Sequence, residues 1–157
     1  MKRIIAALVL FGVLAAGAVP VRADSVPVIQ GAVSGVELCP QSICGAAVFV
    51  GVFQGQVGFR PNALGLIAVA VHHDRLPVVA GDCAAITKGL WDLRVGLRRL
   101  AGTTAGELCY NGHNTYAVSV GMQLLFGGTG QAFFTGTLDH TVFPPAINGV
   151  IAQAPTP

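Results

Sequence analysis

The sequence predicts an all-β fold, an antiparallel meander of about seven to eight strands. Three observations predict it: apolar and polar residues alternate over long stretches, turn residues recur at strand-length intervals, and helix-starting and helix-ending signals are few. A meander of this size must hide its edge strands, so we expect it to close into a small barrel. A two-sheet sandwich is the alternative, but hairpins that follow one another without long crossovers favour the barrel.

The first half of the predicted meander contains three strands. Residues 28–38 form the weakest of them, because two glycines interrupt the segment. Residues 46–59 and 64–72 are apolar on both faces for part of their length, which is typical of strands that are covered on both sides. Residues 60–62, Arg-Pro-Asn, are predicted to form the turn between them, since proline is well placed to start a turn.

Residues 90–100 admit two interpretations. From Trp91 to Leu97 apolar residues alternate with polar or small ones, which predicts a strand, yet the leucines of this segment also fall at helical spacing. Gly89 and Gly96 would each cost a helix about 1 kcal/mol relative to alanine. Because strong strand patterns also lie on either side, we predict a strand here.

The clearest strand is residues 115–126, where apolar side chains alternate with small or polar ones over the whole length. Asn111-Gly112 precedes it and predicts a tight hairpin turn, because both turn positions need a positive φ. Residues 131–142 form the next strand after a glycine-rich turn. Pro144-Pro145 ends it, since neither proline can donate to a strand ladder. Residues 146–152 are predicted to be the last strand.

Residues 1–23 have the three parts of a secretory signal peptide. These are a basic start, an uninterrupted apolar run over residues 4–19, and a peptidase site that ends at Ala23. We therefore expect an exported, secreted or periplasmic, domain of residues 24–157 that ends in a short disordered tail containing proline. An uncleaved membrane anchor is the alternative, but the apolar run is shorter than the ~20 residues that span a bilayer.

The charge of the mature domain argues against a nucleic-acid partner. The whole chain has nine Lys and Arg and seven Asp and Glu, but three of the basic residues lie in the signal peptide. The remaining six basic residues do not balance the seven acidic ones, so the domain has no basic footprint for nucleic acid. A surface this poor in charge also favours self-assembly. Once the signal peptide is removed, we expect no membrane partner.

The four cysteines all lie in the exported part, and an even count in an oxidising compartment predicts two disulfides. Three connectivities are possible, of which the simplest joins Cys39 to Cys44 and Cys83 to Cys109. A four-cysteine zinc site is the alternative. Such sites usually use close C-x2-C pairs, which are absent, so we predict no metal.

Two groups of histidines are candidate ligand-binding residues. In His72-His73-Asp74 the two histidines point to opposite faces of a strand, so only one can face a given pocket. The competing interpretation is a strand that runs out into a polar turn.

His140 shares a predicted face with Phe134, where a polar ring needs a partner. We expect a rim residue that bonds a backbone carbonyl and touches no other titratable side chain. The alternative is a pocket in which another His, Asp or Glu approaches it.

Three arginines follow Trp91 and could form a surface for a carbohydrate or an anion. We interpret them instead as a solvated face with salt bridges to acidic residues. The residues concerned are Arg94, Arg98 and Arg99, with Asp82 or Glu107 as the acidic partners. No serine stands in a G-x-S-x-G elbow and the acidic residues are scattered singly, so we predict no catalytic residues and no cofactor.

These observations lead to three functional hypotheses. The first is an exported β-barrel binding or structural module that holds a small apolar ligand or assembles with other copies. The second is a secreted enzyme with a histidine-containing site at the barrel mouth. The third is a small outer-membrane barrel, against which we count the absence of clear aromatic girdles.

Overall fold

The computed structural model describes residues 28–128 and 130–153, which form a closed antiparallel barrel of eight strands. Each strand pairs with the next along the chain, and the last pairs with the first, so the predicted barrel is confirmed over the sandwich. The predicted signal peptide and the end of the predicted tail lie outside the described residues. The strands are β1 (Ile29–Cys39), β2 (Ala47–Val57), β3 (Arg60–His73), β4 (Cys83–Val95), β5 (Arg98–Gly112), β6 (Thr115–Phe126), β7 (Gly130–Asp139) and β8 (Ala146–Gln153), and one short helix, α1 (Gln41–Cys44), follows β1.

The core of the protein is the inside of the barrel. Successive side chains of a strand point to opposite faces, so alternate apolar residues of every strand meet around the barrel axis. Among the most deeply buried are Phe53, Val57, Leu93 and Ile151, which come from three strands, β2, β4 and β8. The interior is therefore filled largely by aliphatic and aromatic side chains.

Residues 90–100 belong to two strands rather than one. Leu90–Val95 ends β4, Gly96 and Leu97 form a tight turn, and β5 begins at Arg98. The prediction of strand over helix is confirmed, but the prediction of a single strand is wrong. Gly96 has a φ of 58°, a left-handed conformation that glycine adopts at no steric cost and that a two-residue hairpin requires.

Two further turns lie a few residues from their predicted positions. The β5–β6 hairpin turns at His113 and Asn114, with φ values of 53° and 55°, so Asn111-Gly112 is the end of β5 rather than the turn. The β2–β3 hairpin turns at Gly58-Phe59, and residues 60–62 begin β3. In both hairpins, residues with a positive φ adopt the turn that matches the strand twist. The seventh strand also ends early, at Asp139, which leaves residues 140–145 as a loop.

The two ends of the barrel differ. We call the end with the β1–β2, β3–β4, β5–β6 and β7–β8 connections the mouth, and the end with the β2–β3, β4–β5 and β6–β7 turns the base. Both disulfides, Cys39–Cys44 and Cys83–Cys109, lie at the mouth, and both predicted pairings are confirmed. Because all four thiols are bonded in pairs, the zinc alternative is wrong.

Candidate functional site

A cavity of about 90 Å³ lies inside the barrel and reaches the mouth. Strands from all around the barrel supply its walls, and most of the lining side chains are apolar, among them Phe49, Trp91 and Met122. Apolar cavities of this kind exclude water and favour apolar occupants. The few polar side chains that line it therefore decide what else it can hold.

Glu37 is the polar group that stands out in this cavity. It occupies an inward-facing position of β1, in the same face as Ile29 and Val33, and only 7% of the residue is exposed. Among the described residues it is the one charged side chain that is buried. Removing a carboxylate from water is costly unless a partner compensates it. The groups that contact Glu37 therefore indicate what the cavity can bind.

His140 is the partner of Glu37. Its Nε2 lies 3.1 Å from Glu37 Oε2, and its side chain is 27% exposed at the mouth. Its backbone N–H donates to the carbonyl of Asn114 at 2.9 Å, which fixes the start of the β7–β8 loop. The contact with Glu37 has an ion-pair distance but poor hydrogen-bond alignment, so within the described residues Nε2 has no hydrogen-bond partner. A small rotation of the imidazole ring would align Nε2 with the carboxylate.

The expectation that His140 touches no other titratable side chain is therefore wrong. A carboxylate approaches it around a cavity, as the alternative interpretation required, but the carboxylate is Glu37 rather than Asp74. The physical reason lies in barrel closure. Because β8 pairs with β1, the β7–β8 loop is held beside the end of β1, and Glu37 N–H donates to the Pro145 carbonyl at 2.8 Å.

Two tyrosines complete the mouth. The Tyr116 ring lies 5.2 Å from the His140 ring and 5.1 Å from the Tyr110 ring, measured between centroids. Burial raises the pKa of the Tyr116 hydroxyl, and the nearby Tyr110 and Glu37 raise it further because their negative charges would repel a phenolate. The Tyr116 hydroxyl thus remains neutral, and its ring packs beside His140.

The predicted cluster of residues 72–74 is only partly at the cavity. His72 is exposed and lies on the opposite face of β3 from His73, as alternation predicts. His73 lines the cavity, and its backbone exchanges two hydrogen bonds with the Gln41 amide, of 2.8 and 2.9 Å. Asp74 is exposed and accepts from the Arg75 N–H at 2.8 Å, so it is a turn residue. The structure brings His73 and His140 to one cavity, and not His72 or Asp74.

The β3–β4 loop, residues 74–82, covers part of the mouth. Leu76 reaches the cavity and Pro77 is fully buried. Arg75 pairs with both carboxylate oxygens of Asp82, its Nη2 at 2.6 Å from Oδ1, and also bonds the Cys83 carbonyl. This pairing lowers the pKa of the Asp82 carboxyl. The loop is therefore tied down beside the second disulfide.

The arginines near Trp91 do not form a site with it. Trp91 is buried in the barrel, where its Nε1 donates to the Thr103 carbonyl at 3.1 Å. Arg94 and Arg99 pair instead with Asp92, so the predicted partners Asp82 and Glu107 are wrong. Burial alone would raise the pKa of the Asp92 carboxyl, but hydrogen bonds from Arg99 and Arg94 outweigh it and lower the pKa.

The outer surface of the barrel is apolar over much of its area. The outward positions of β2–β4 form an apolar wall, in which Val52, Leu64, Leu66 and Leu90 are each 50–67% exposed. The outward positions of β5–β7 mix threonine, serine and glutamine with apolar side chains, of which Leu125, Phe126 and Phe133 are 47–66% exposed. The one group of potential metal ligands within the described ranges, Cys83, Glu107 and Cys109, has both thiols in a disulfide and cannot bind a metal.

Glu37 and Tyr116 are the site residues that the sequence analysis missed. A signal for Glu37 was present, since its spacing from Ile29 and Val33 places it on the apolar face of β1. The glycines of β1 replace apolar residues on that face, so the alternation is too weak to show that Glu37 points inward.

Comparisons with protein-family models, curated proteins and solved structures gave no match. The fold and the site thus define a class, a closed antiparallel barrel with a disulfide-braced mouth and an internal apolar cavity. The disulfides are typical of an oxidising compartment outside the cytosol. No helix in the described part of the chain is long and apolar enough to cross a membrane.

Proposed function

We propose that this chain is an exported β-barrel binding protein that holds a small, mostly apolar molecule carrying a hydrogen-bond donor. The observation that carries the proposal is the buried carboxylate of Glu37, which lines an apolar cavity and has an ill-aligned contact with His140. A ligand amine or hydroxyl beside Glu37 would donate a well-aligned hydrogen bond to the carboxylate, whose contact with His140 is poorly aligned. The predicted signal peptide and the two disulfides support export.

The size of the cavity limits the apolar part of the ligand. Its volume of about 90 Å³ is smaller than the ~150 Å³ of an engineered apolar cavity that holds benzene. A short alkyl chain fits this space. A longer molecule would have to leave through the mouth, past Leu76 and His140.

A secreted enzyme is the second candidate, and the pairing of Glu37 with His140 favours it. A carboxylate beside an imidazole is an arrangement that orients the ring for proton transfer. Such an enzyme would move a proton on a bound molecule of the same class, with His140 as the acid or base and Glu37 as the positioning residue. The two candidates differ in the effect of His140→Gln, which removes turnover in an enzyme but leaves binding in a carrier.

The outer-membrane alternative has less support. A membrane barrel needs an apolar band around its whole circumference and usually has a polar interior. Here exposed polar side chains such as Ser34, Glu107 and Thr135 interrupt the apolar outer surface, and the interior is apolar. We therefore do not adopt that alternative.

Native mass spectrometry of protein purified from its own host tests the proposal. We expect wild-type protein to carry a small added mass, and Glu37→Gln to lose it. Glu107→Gln is the matched control, because Glu107 is an exposed carboxylate on the outer face of β5. A Glu37→Gln variant that retains the added mass of the wild type would contradict the role of the carboxylate.

A further inference from the structure

We propose that the base of the barrel docks onto an anionic lipid surface, with Phe59 and Leu97 inserted among the lipids and arginines on the phosphates. Phe59 is 92% exposed and Leu97 is fully exposed. Each is an apolar side chain at the tip of a two-residue turn, where polar or small residues are usual. This proposal departs from the expectation, drawn from the sequence, that the mature domain has no membrane partner, and it does not depend on the cavity or on Glu37.

The two turns form one surface. The Nη1 atom of Arg98 lies 3.0 Å from the position that a Cβ atom on Gly58 would take, so the Arg98 side chain reaches across to the β2–β3 turn. The Nη1 atom of Arg60 lies 4.0 Å from the equivalent position on Gly96, in the β4–β5 turn. The arginines therefore lie between the two exposed apolar tips.

The charges of the protein are separated along the barrel axis. Four arginines lie at or near the base, and Asp92 is the one acidic residue there among the described residues. Asp92 already pairs with Arg94 and Arg99, whereas Arg60 and Arg98 have no carboxylate within ion-pair distance in the described ranges. The five other described carboxylates lie in the mouth half, namely Glu37, Asp74, Asp82, Glu107 and Asp139.

A lipid bilayer fits this arrangement better than a flat protein surface does. Guanidinium groups bind phosphates through paired hydrogen bonds, and apolar tips that project beyond them reach the acyl region beneath the headgroups. Clustered arginines next to apolar side chains are typical of surfaces that bind anionic lipids.

Co-sedimentation of the mature protein with vesicles tests this proposal. We expect binding to phosphatidylglycerol vesicles that weakens with salt, and little binding to phosphatidylcholine vesicles. The double variants Phe59→Ser/Leu97→Ser and Arg60→Gln/Arg98→Gln should each lower the partition coefficient by about tenfold or more. Phe143→Ser and Lys88→Gln are matched controls, because they remove an equally exposed phenylalanine and a cation from the mouth half, and they should bind like wild type.

Two results would overturn the proposal. One is equal binding of the base variants and wild type to phosphatidylglycerol vesicles. The other is sedimentation, without vesicles, of a wild-type dimer that Phe59→Ser/Leu97→Ser abolishes, since the base would then be a contact between copies. Failure of this test leaves the ligand site intact, because Glu37→Gln changes no residue of the base.

Discussion

Glu37 and His140 form an unequal pair, because burial affects the carboxylate far more than the partly exposed imidazole. His140→Gln leaves a buried carboxylate without its partner, which we expect to cost about 2 kcal/mol of unfolding free energy. Glu37→Gln removes the buried charge and should leave the stability unchanged or raise it by about 1 kcal/mol. Chemical denaturation of both variants measures these effects.

The double variant Glu37→Gln/His140→Gln provides the control for that prediction. It should recover most of the stability that His140→Gln loses, because the unpaired charge is then absent. Equal losses from the two single variants would instead indicate that the pair acts only by packing.

Tyr116 gives a prediction at alkaline pH. Its pKa is raised above its ordinary value of 10.0, so the native protein keeps this proton where the unfolded chain has lost it. The Tyr116 hydroxyl therefore does not change the free energy of unfolding below the ordinary pKa of 10.0, and it lowers that free energy as the pH rises above this value. Ultraviolet titration should show one tyrosine ionising late, and Tyr116→Phe should remove that late step and flatten the loss of stability. A late step that survives in Tyr116→Phe would contradict the burial argument.

At the level of single residues, the sequence predicted one member of the Glu37–His140 pair. It singled out His140 because a polar ring on an apolar strand face needs a partner. It missed that partner, since Glu37 lies over a hundred residues earlier and comes close only when β8 pairs with β1. Long-range strand pairing of this kind leaves no local trace in the sequence.

At the level of elements, paired glycines allow β1 and β2 to approach closely. Gly51 lies opposite Gly35, and a Cβ atom on Gly51 would come within 2.7 Å of the Ser34 carbonyl oxygen. Glycines at such positions let strands bend at the corners of a barrel.

Gly51→Ala should therefore destabilise the protein by about 1–3 kcal/mol, as overpacking does. Gly121→Ala is the matched control, because it also lies within a strand but its Cβ atom would meet neighbours at ordinary contact distances of 3.7 Å and more. This control should be neutral or slightly stabilising. Thermal unfolding of the two variants compares them directly, and equal losses would show that close strand approach is not the cause.

Alternation predicted most strands but placed several turns wrongly. The apolar pattern that starts at Trp91 continues to Leu97 only because this exposed turn residue is itself apolar. After the turn the inward positions change from odd to even numbers, since Leu93 pairs with Leu100. Turn position was therefore decided by backbone conformation at Gly96, Asn114 and Gly58, which apolar periodicity does not record.

At the scale of the whole molecule, the disulfides brace the mouth unequally. Cys83 and Cys109 are 26 residues apart and join β4 to β5, whereas Cys39 and Cys44 are five residues apart. On the chain-entropy model, Cys83→Ala/Cys109→Ala should cost about 3.5 kcal/mol and Cys39→Ala/Cys44→Ala about 2 kcal/mol. Denaturant midpoints of the two double variants give the order, and a reversed order would contradict this model.

Barrel closure could be predicted at this scale. An open meander leaves unpaired N–H and C=O groups along its first and last strands, and these groups are paired when the two strands join. The existence of a cavity could not be predicted, since it depends on how the volumes of many inward side chains add up. The one carboxylate that lines the cavity is that of Glu37, among the described residues.

An NMR titration with three probes of one chain length tests the central claim, that Glu37 selects a donor-bearing ligand inside the barrel. n-Butylamine and n-butanol should cause saturable shifts in the methyl signals of cavity residues such as Met122 and Val120, and butyrate should cause none, since its carboxylate would face that of Glu37. In Glu37→Gln the preference for the amine over butyrate should vanish, and in Glu107→Gln it should persist. Equal binding of amine and butyrate by wild type, or shifts confined to outer-face residues, would contradict the account.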